Sequence, residues 1–176
     1  MTRSTNTDKY HITLVMFFLY NRYMNQLSET VLAYIEKDDS FLMLYRNKKK
    51  HDINANKWIG VGGHLEPGES KEQALYREIK EETGLDVIKY QYRGLIHFNY
   101  GELSEMMHLY IVTKVNGELT ECDEGTLQYV PKNEILNLPI WEGDRIFLEK
   151  LLSNAPYFEL ELNYVNDKLV SYRFIK

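Results

Sequence analysis

Glutamates are crowded into residues 69–85, which read ESKEQALYREIKEETGL. On a helix, Glu78, Glu81 and Glu82 would share one arc, because side chains three and four positions apart stack. Like charges at these spacings cost roughly 0.2–0.5 kcal/mol each, and carboxylates in the last turn oppose the helix dipole by about 0.3–1 kcal/mol each. A divalent cation would remove this repulsion. Carboxylates without Cys or His partners nearby favour a hard ion, Mg²⁺ or Mn²⁺, over zinc.

The signals at both ends of this stretch predict that it is a helix. Ser70 followed by Gln73 is a capping-box pattern, so the helix should begin at Lys71, and Gly84 occupies the position of a C-terminal cap. The spacing of the other side chains predicts a core-facing stripe of Leu75, Tyr76, Ile79 and Thr83. The clustered glutamates would then lie beside that stripe.

The segments around this helix have a mixed α and β pattern. Before it, TVLAYIE and FLMLYR predict a hairpin with KDDS as its turn, and then come the basic loop NKKKHDINANK and the glycine-rich stretch WIGVGGHLEPGE. Most lysines of the basic loop are expected to be solvated, with room for one or two to meet an anionic ligand. After the helix, strands are predicted over 87–100, 106–115 and 126–131, short helices in KNEILNL and EGDRIFLEKLL, and a terminal hairpin after residue 157. This order predicts a single α/β domain.

One long motif runs through the glycine-rich stretch and the acidic helix. Gly63, five residues, Glu69, seven residues and REIKEETGL at 77–85 resemble the Nudix box, with no substitution at its defining positions. The resemblance implies an α/β/α sandwich with a mixed sheet, to which this chain would add a C-terminal β-hairpin. It also implies hydrolysis of a nucleoside diphosphate linked to another moiety, with Mg²⁺ as the cofactor and Mn²⁺ as an alternative.

The same resemblance implies roles for the residues of the box. The expected metal ligands are Gly63, through its carbonyl, Glu78, Glu81 and Glu82. Arg77 would orient the carboxylates, and Glu69 would hold Arg77 or the loop. Such groups suit the chemistry, because water must attack a phosphorus atom surrounded by negative oxygens. Glu81 is either a further ligand or the general base, and the choice of base among the glutamates stays open.

Beyond the box, the resemblance extends from about residue 30 to about residue 152, and it is to the MutT-like branch that cleaves 8-oxo-dGTP. It implies that Trp141 stacks on the base, that Asp144 bonds the edge of the base, and that Phe98 lies beside it. Glu124, in the acidic segment ECDEG, would supply one more metal ligand.

Two positions of the expected base pocket depart from that branch. Ile59 follows the tryptophan of KWIGVGG, where the mammalian oxidised-purine hydrolases carry an Asn that contacts the base. Gly143 stands where those proteins carry a second acid ahead of the helix. Both changes remove polar groups that read the base edge, so hydrolysis is predicted while specificity for oxidised guanine stays open.

Three functional interpretations follow. The leading one is Mg²⁺-dependent hydrolysis of a nucleoside triphosphate, an oxidised or non-standard purine such as 8-oxo-dGTP, to the monophosphate and pyrophosphate. The second keeps the chemistry but changes the substrate to a nucleotide sugar, a dinucleoside polyphosphate or a capped RNA 5′ end, the last of which lacks support from long basic clusters. The third is a Nudix-fold binding module without catalysis, and the complete set of box glutamates counts against it.

Composition limits the partners and the compartment. A net charge of −5 over 176 residues gives no electrostatic reason to bind bulk nucleic acid. The apolar stretch 12–20 is nine residues long, well short of the roughly 20 residues of a membrane span. A single cysteine favours the cytoplasm. Residues 1–23 are predicted to be an N-terminal extension of uncertain role, 24–155 the Nudix hydrolase domain and 156–176 a hairpin of that domain, in a monomer or a homodimer.

Overall fold

The computed structural model describes residues 27–49 and 52–176, so the extension predicted for residues 1–23 lies outside it. The helices are α1 (Lys71–Thr83) and α2 (Glu142–Leu152), with one 3₁₀ turn at Ile135–Asn137. The strands are β1 (Leu27–Lys37), β2 (Ser40–Tyr45), β3 (Trp58–Ile59), β4 (Asp86–Tyr100), β5 (Leu103–Asn116), β6 (Thr126–Pro131), β7 (Phe158–Val165) and β8 (Lys168–Phe174). No helix in these two ranges is long and apolar enough to cross a membrane.

All eight strands belong to one mixed sheet. Its order is β3-β2-β1-β5-β4-β7-β8, and β6 pairs with β2 beside this path. The pairs β1–β5 and β4–β7 are parallel, while β1–β2, β2–β3, β2–β6, β4–β5 and β7–β8 are antiparallel. Beyond β3, the chain continues along β1 through a bridge between Val61 and Ala33. The glycine-rich stretch is therefore held against the middle of the sheet.

The central strands are apolar on both faces because the sheet is covered on both sides. On the α1 side, Val31, Ala33 and Ile35 of β1 pack with Leu75 and Ile79 of the helix. On the α2 side, the buried residues include Tyr34, Met43, Ile96, Leu109, Phe147, Leu148, Leu160 and Leu162. The two cores with a mixed sheet between them form the α/β/α sandwich that the box predicts.

Both ends of α1 match the prediction. Ser70 and Gln73 exchange the two hydrogen bonds of a capping box, and Gly84 has a φ of 76° as the C-terminal cap. The predicted core stripe is correct except at Tyr76, which is 44% exposed and packs edge-on against Tyr90. Tyr76 lies about 100° around the axis from its neighbour in the stripe. Ala74 and Glu82, and not Tyr76, are the additional residues on the buried side.

The last two strands extend the sheet beyond β4. Along β7, Phe158, Leu160, Leu162 and Tyr164 are buried on the α2 side, as their alternation predicts. The helix predicted in KNEILNL is shorter than expected, because only the three-residue 3₁₀ turn forms there. The C-terminal hairpin thus completes the core beneath α2.

Candidate active site

Arg77 is the centre of the hydrogen bonds on the acidic face of α1. Its Nε and NH2 donate to the two carboxylate oxygens of Glu69, at 2.9 and 2.8 Å, and its NH1 donates to Glu78 Oε1 at 2.7 Å. NH2 also donates to the carbonyl of His64 at 2.9 Å. The bond with Arg77 lowers the pKa of Glu69, and the bond with Glu69 raises the pKa of Arg77. Arg77 thereby links the loop at Glu69 and His64 to the carboxylate of Glu78, and the roles that the resemblance implies for Arg77 and Glu69 stay predictions.

Two glutamates of α1 face the glycine-rich stretch. The carboxylate of Glu78 lies directly on Gly63, since a Cβ added there would be 2.6 Å from each of its oxygens. Glu82 is buried and accepts a hydrogen bond from the amide of Gly62 at 2.9 Å. Burial raises the pKa of Glu82 to about 7, and the negative charge of Glu78 adds to this rise. Two carboxylates are thus held close together, one of them largely out of water.

Glu81 stands apart from this pair. Its side chain is 60% exposed, and its only ion pair among the described residues is with Arg77 NH1 at 3.3 Å. A carboxylate open to water on the same helix turn as Glu78 and Glu82 could act as a further ligand or as a base, the two roles left open for it.

Glu124, which was expected to be a metal ligand, pairs with positively charged side chains. It forms ion pairs with Arg46 and Lys49. In residues 27–49 and 52–176, no three His, Cys, Asp or Glu side chains stand close enough to hold a metal ion. The five expected ligands are therefore not assembled as one cluster, although Gly63, Glu78 and Glu82 are brought together.

The residues that do converge fit a hard divalent cation. Glu78 and Glu82 offer carboxylate oxygens, and the carbonyl of Gly63 uses one of its two lone pairs to accept from Val31 at 2.9 Å. Burial together with the neighbouring carboxylate opposes ionisation of Glu82. A bound cation would reverse that opposition, because it favours the charged form.

Arg46 is a functional candidate that sequence reasoning missed. It follows β2 directly, its side chain is only 11% exposed, and its Nε donates to Asp52 Oδ2 at 2.6 Å while NH1 pairs with Glu124. Burial acts to raise the pKa of Asp52, but the hydrogen bonds from Arg46 and the Asn54 amide, together with the charges of Arg46 and Lys49, lower it overall. Arg46 and Lys49 also act to lower the pKa of Glu82, so both positive charges are near enough to influence that carboxyl group. The signal in the sequence is a lone arginine at the end of a buried strand, which the strand pattern FLMLYR includes.

A second group of side chains lies at the start of α2. Trp141 Nε1 donates to Asn54 Oδ1 at 2.8 Å, and Lys57 Nζ lies 5.2 Å from the centre of the Trp141 ring. Burial raises the pKa of Asp144 to about 7, against a lowering effect of Lys57. The hydroxyl of Tyr34 is fully buried and has no hydrogen-bond partner in the described structure. Its pKa is raised by burial and, to a smaller extent, by the negative charge of Asp144.

Of the two other residues expected in the base pocket, Phe98 lies beside this group, whereas Ile59 pairs with a residue of the neighbouring strand β2. Phe98 in β4 packs against the core on the α2 side, with its ring centre 5.2 Å from that of Tyr164. Ile59, which follows Trp58 in β3, pairs with Leu44 of β2. The amide of Trp58 donates to the carbonyl of Pro139 at 3.0 Å, which ties β3 to the segment before α2.

One short segment connects the two groups. Trp58 contacts the residues before α2, and five residues later Gly63 touches Glu78 of α1. At about 3.3 Å per extended residue, this segment is roughly 15 Å long. The aromatic and acidic side chains at the start of α2 are therefore linked to the two carboxylates through one short stretch of chain.

Comparison with known proteins agrees with this geometry. A family model described as the NUDIX domain matches residues 26–151. An uncharacterised Nudix hydrolase of Bacillus subtilis, YvcI, is 29% identical over 157 residues, which cover 85% of this chain and 96% of that protein. An oxidized purine nucleoside triphosphate hydrolase of Danio rerio is 34% identical over 111 residues, 62% of this chain and 71% of that protein.

A solved structure gives the same result for the fold. The crystal structure of a MutT protein from Bacillus halodurans superposes with a TM-score of 0.75 at 26% identity, covering 84% of this chain and 97% of that one. The box, its local geometry, the family match and this superposition all agree. The chain therefore belongs to the Nudix hydrolase family, whose members are pyrophosphohydrolases that act on acid anhydrides.

Proposed function

We propose that this enzyme hydrolyses a nucleoside triphosphate, an oxidised or non-standard purine such as 8-oxo-dGTP, to the monophosphate and pyrophosphate with Mg²⁺. Nudix hydrolases generally use a divalent metal, typically Mg²⁺. The observation that carries the proposal is the segment Trp58–Gly63, which joins the pocket of Trp141 and Asp144 to Glu78 and Glu82. A base in the pocket would leave its phosphates at the carboxylates.

Each residue then has a defined part in the reaction. Glu78, Glu82 and the carbonyl of Gly63 would hold Mg²⁺, or Mn²⁺ in its place, and Arg77 and Glu69 would keep the carboxylates oriented. When bound, the ion neutralises phosphate charge and polarises the phosphoryl oxygens. Water attacks phosphorus, the P–O bond between the α- and β-phosphates breaks, and pyrophosphate leaves. Glu81, open to solvent, would accept the proton of the attacking water.

The phosphates need further positive charge, which the loop after β2 can supply. Arg46 and Lys49 are near enough to influence Glu82 and are paired with Glu124. A triphosphate brings several negative charges to this place, so these two cations would bind its oxygens. Glu124 would then be freed to act as the additional metal ligand that the resemblance implies.

The side chains at and beside the start of α2 would contact the base of the nucleotide. Trp141 offers a face for stacking and Asp144 an acid, while Phe98 packs beside the pocket. Ile59 and Gly143 supply no polar side chain. Among relatives, an 8-oxo-dGTP diphosphatase of Proteus vulgaris is 31% identical over 86 residues, and a CTP pyrophosphohydrolase of Escherichia coli is 28% identical over 128 residues, 93% of that protein. CTP is therefore a second candidate substrate.

Partners and location form part of the same proposal. We expect a small-molecule nucleotide substrate, no bulk nucleic acid and no membrane, and a cytoplasmic monomer or homodimer. The only cysteine, Cys122, is buried and free, which suits a reducing compartment.

The test is a pyrophosphate-release assay with Mg²⁺ that compares kcat/KM for dGTP, 8-oxo-dGTP, dATP, 2-oxo-dATP, CTP and a panel of nucleotide sugars and dinucleoside polyphosphates. Highest kcat/KM for an oxidised purine is the expected result. Preference for CTP, or for a nucleotide sugar, would keep the family chemistry and reject this substrate. Binding without turnover of any compound would favour a non-catalytic module.

A further inference from the structure

The start of α2 is capped by a residue from the C-terminal hairpin. Trp141 is the N-cap residue, and its side chain makes no capping hydrogen bond. The amide of Gly143 instead donates to the hydroxyl of Tyr164 in β7 at 2.6 Å. This amide belongs to the first turn, where backbone N–H groups have no partner within the helix.

Tyr164 also fills the space beside Gly143. A Cβ added to Gly143 would lie 2.7 Å from the Tyr164 hydroxyl oxygen and 2.7 Å from Leu162 Cδ1. The hydroxyl therefore occupies the place where any side chain at position 143 would begin. An acidic side chain at position 143 and the Tyr164 hydroxyl would need the same space, so the glycine at this position fits the presence of Tyr164.

The ring of Tyr164 contacts the aromatic residues of the pocket. It meets Trp141 edge-on, with ring centres 5.8 Å apart and an angle of 87°, and it packs at 5.2 Å against Phe98. Tyr164 is only 3% exposed, so a nucleotide would contact Trp141 and not Tyr164 itself. Burial raises the pKa of Tyr164 to about 12, which keeps the hydroxyl protonated at neutral pH.

We propose that Tyr164 is a positioning residue of the base pocket, which through its hydroxyl and its ring holds the start of α2 so that Trp141 and Asp144 face a purine base. This inference rests on the proposed function and extends it. It assigns to the hairpin a part in substrate selection in addition to its part in the core. The resemblance to the MutT-like branch assigned no such residue, because it ended near residue 152.

The test is Tyr164→Phe, which removes the hydroxyl and keeps the ring. KM for the preferred purine triphosphate should rise about five- to tenfold while kcat changes less than about twofold, because substrate positioning and not the chemistry is altered. The ratio of kcat/KM for the purine triphosphate to that for CTP should fall. A general loss of structure would lower both values in the same proportion, and that outcome would overturn the proposal.

A second measurement reads the position of Trp141 without turnover. The chain has two tryptophans, so 5-fluorotryptophan labelling gives two ¹⁹F resonances, which Trp58→Phe assigns. Tyr164→Phe should shift the Trp141 resonance and leave that of Trp58 in place; an unchanged Trp141 resonance would contradict the inference. If the wild type hydrolyses no nucleotide, the proposed function fails, while this comparison still decides whether Tyr164 positions Trp141.

The matched control is Tyr100→Phe. The Tyr100 hydroxyl donates to Asp167 Oδ1 at 2.8 Å, so it also ties the hairpin to the sheet, but at the turn and without a bond to α2 itself. This variant should keep both the nucleotide ratio and the Trp141 resonance of the wild type. The same changes in Tyr100→Phe would show that docking of the hairpin in general is responsible, which would overturn a specific part for Tyr164.

Discussion

At the scale of single residues, Asp144 is an acid whose surroundings disfavour its ionised form. Burial raises its pKa to about 7, and Lys57 only partly opposes this. In the unfolded chain an aspartate has a pKa of about 3.9. The folded state thus keeps the proton between about pH 4 and about pH 7, where the unfolded state has lost it, and the free energy of unfolding falls as the pH rises through that window.

Asp144→Asn should therefore remove a pH-dependent loss of stability. At pH 8 we expect the variant to exceed the wild type by roughly 1–4 kcal/mol in free energy of unfolding, with the difference shrinking as the pH is lowered toward 4. Urea unfolding at several pH values measures this. Glu149→Gln, an exposed change on the same helix, is the control. Parallel curves for Asp144→Asn and the wild type would contradict the burial of the charge.

Lys49 tests whether the loop after β2 binds phosphate. Its side chain is 52% exposed and paired with Glu124, so Lys49→Gln should leave the fold intact. We expect KM for a triphosphate to rise about three- to tenfold with kcat nearly unchanged, because one counter-charge is lost. Lys80→Gln is a matched control, since Lys80 is 53% exposed and pairs with Asp86 beyond the end of α1. An equal KM for the triphosphate in the two variants would show that Lys49 does not bind the phosphates.

At the scale of elements, the end of α1 depends on a glycine in the left-handed region. Gly84 has a φ of 76°, and a Cβ there would lie 2.7 Å from Thr120 Cγ2. Gly84→Ala should cost about 2–3 kcal/mol of unfolding free energy, from the backbone conformation and from the clash together. Gly68→Ala is the control, because Gly68 has a φ of 82° and open space around it. Only the backbone cost, about 1 kcal/mol, is expected there.

Urea unfolding of both glycine variants separates the two effects. If Gly68→Ala and Gly84→Ala lose the same stability, the contact of residue 84 with the loop at Thr120 has no energetic weight. The position of α1 would then depend on its core stripe alone.

The helices show which features of the fold can be predicted from the sequence. Both ends of α1 were predictable because caps are local signals carried by Ser70, Gln73 and Gly84. Tyr76 was misplaced because a tyrosine can lie on either edge of a helix stripe, and only the packing of Tyr90 decides. The 3₁₀ turn in KNEILNL was overestimated because a few apolar residues do not show how long a helix is.

At the scale of the whole molecule, the site depends on contacts between parts distant in sequence. The box residues were predictable because they lie within one motif. The pairing of Glu124 with Arg46 and the cap from Tyr164 to Gly143 join segments separated by 78 and 21 positions. No local pattern encodes such contacts, so the sequence left open whether the hairpin covers the pocket, pairs two protomers or only closes the fold.

The domain boundaries give a prediction at this scale. The family match begins at residue 26 and β1 at Leu27, so deletion of residues 1–23 should leave kcat/KM and Tm nearly unchanged. Deletion of residues 157–176 is the contrasting case, because it removes four buried side chains of β7 from the core: Phe158, Leu160, Leu162 and Tyr164. We expect no cooperative unfolding transition in that variant. A large loss of activity or Tm on deleting 1–23 would refute the extension.

We propose that the buried Glu82 and the neighbouring Glu78 of α1 hold the metal on which hydrolysis depends. The most direct measurement of this is Mn²⁺ binding by calorimetry, with pyrophosphate release, in the wild type, Glu82→Gln and Glu72→Gln, a control in the first turn of the same helix. The Gln side chain can still accept from Gly62, so Tm should hold or rise while Mn²⁺ affinity falls and turnover drops about 100-fold or more. Glu72→Gln should behave as the wild type. Unchanged Mn²⁺ affinity and turnover in Glu82→Gln would contradict the account.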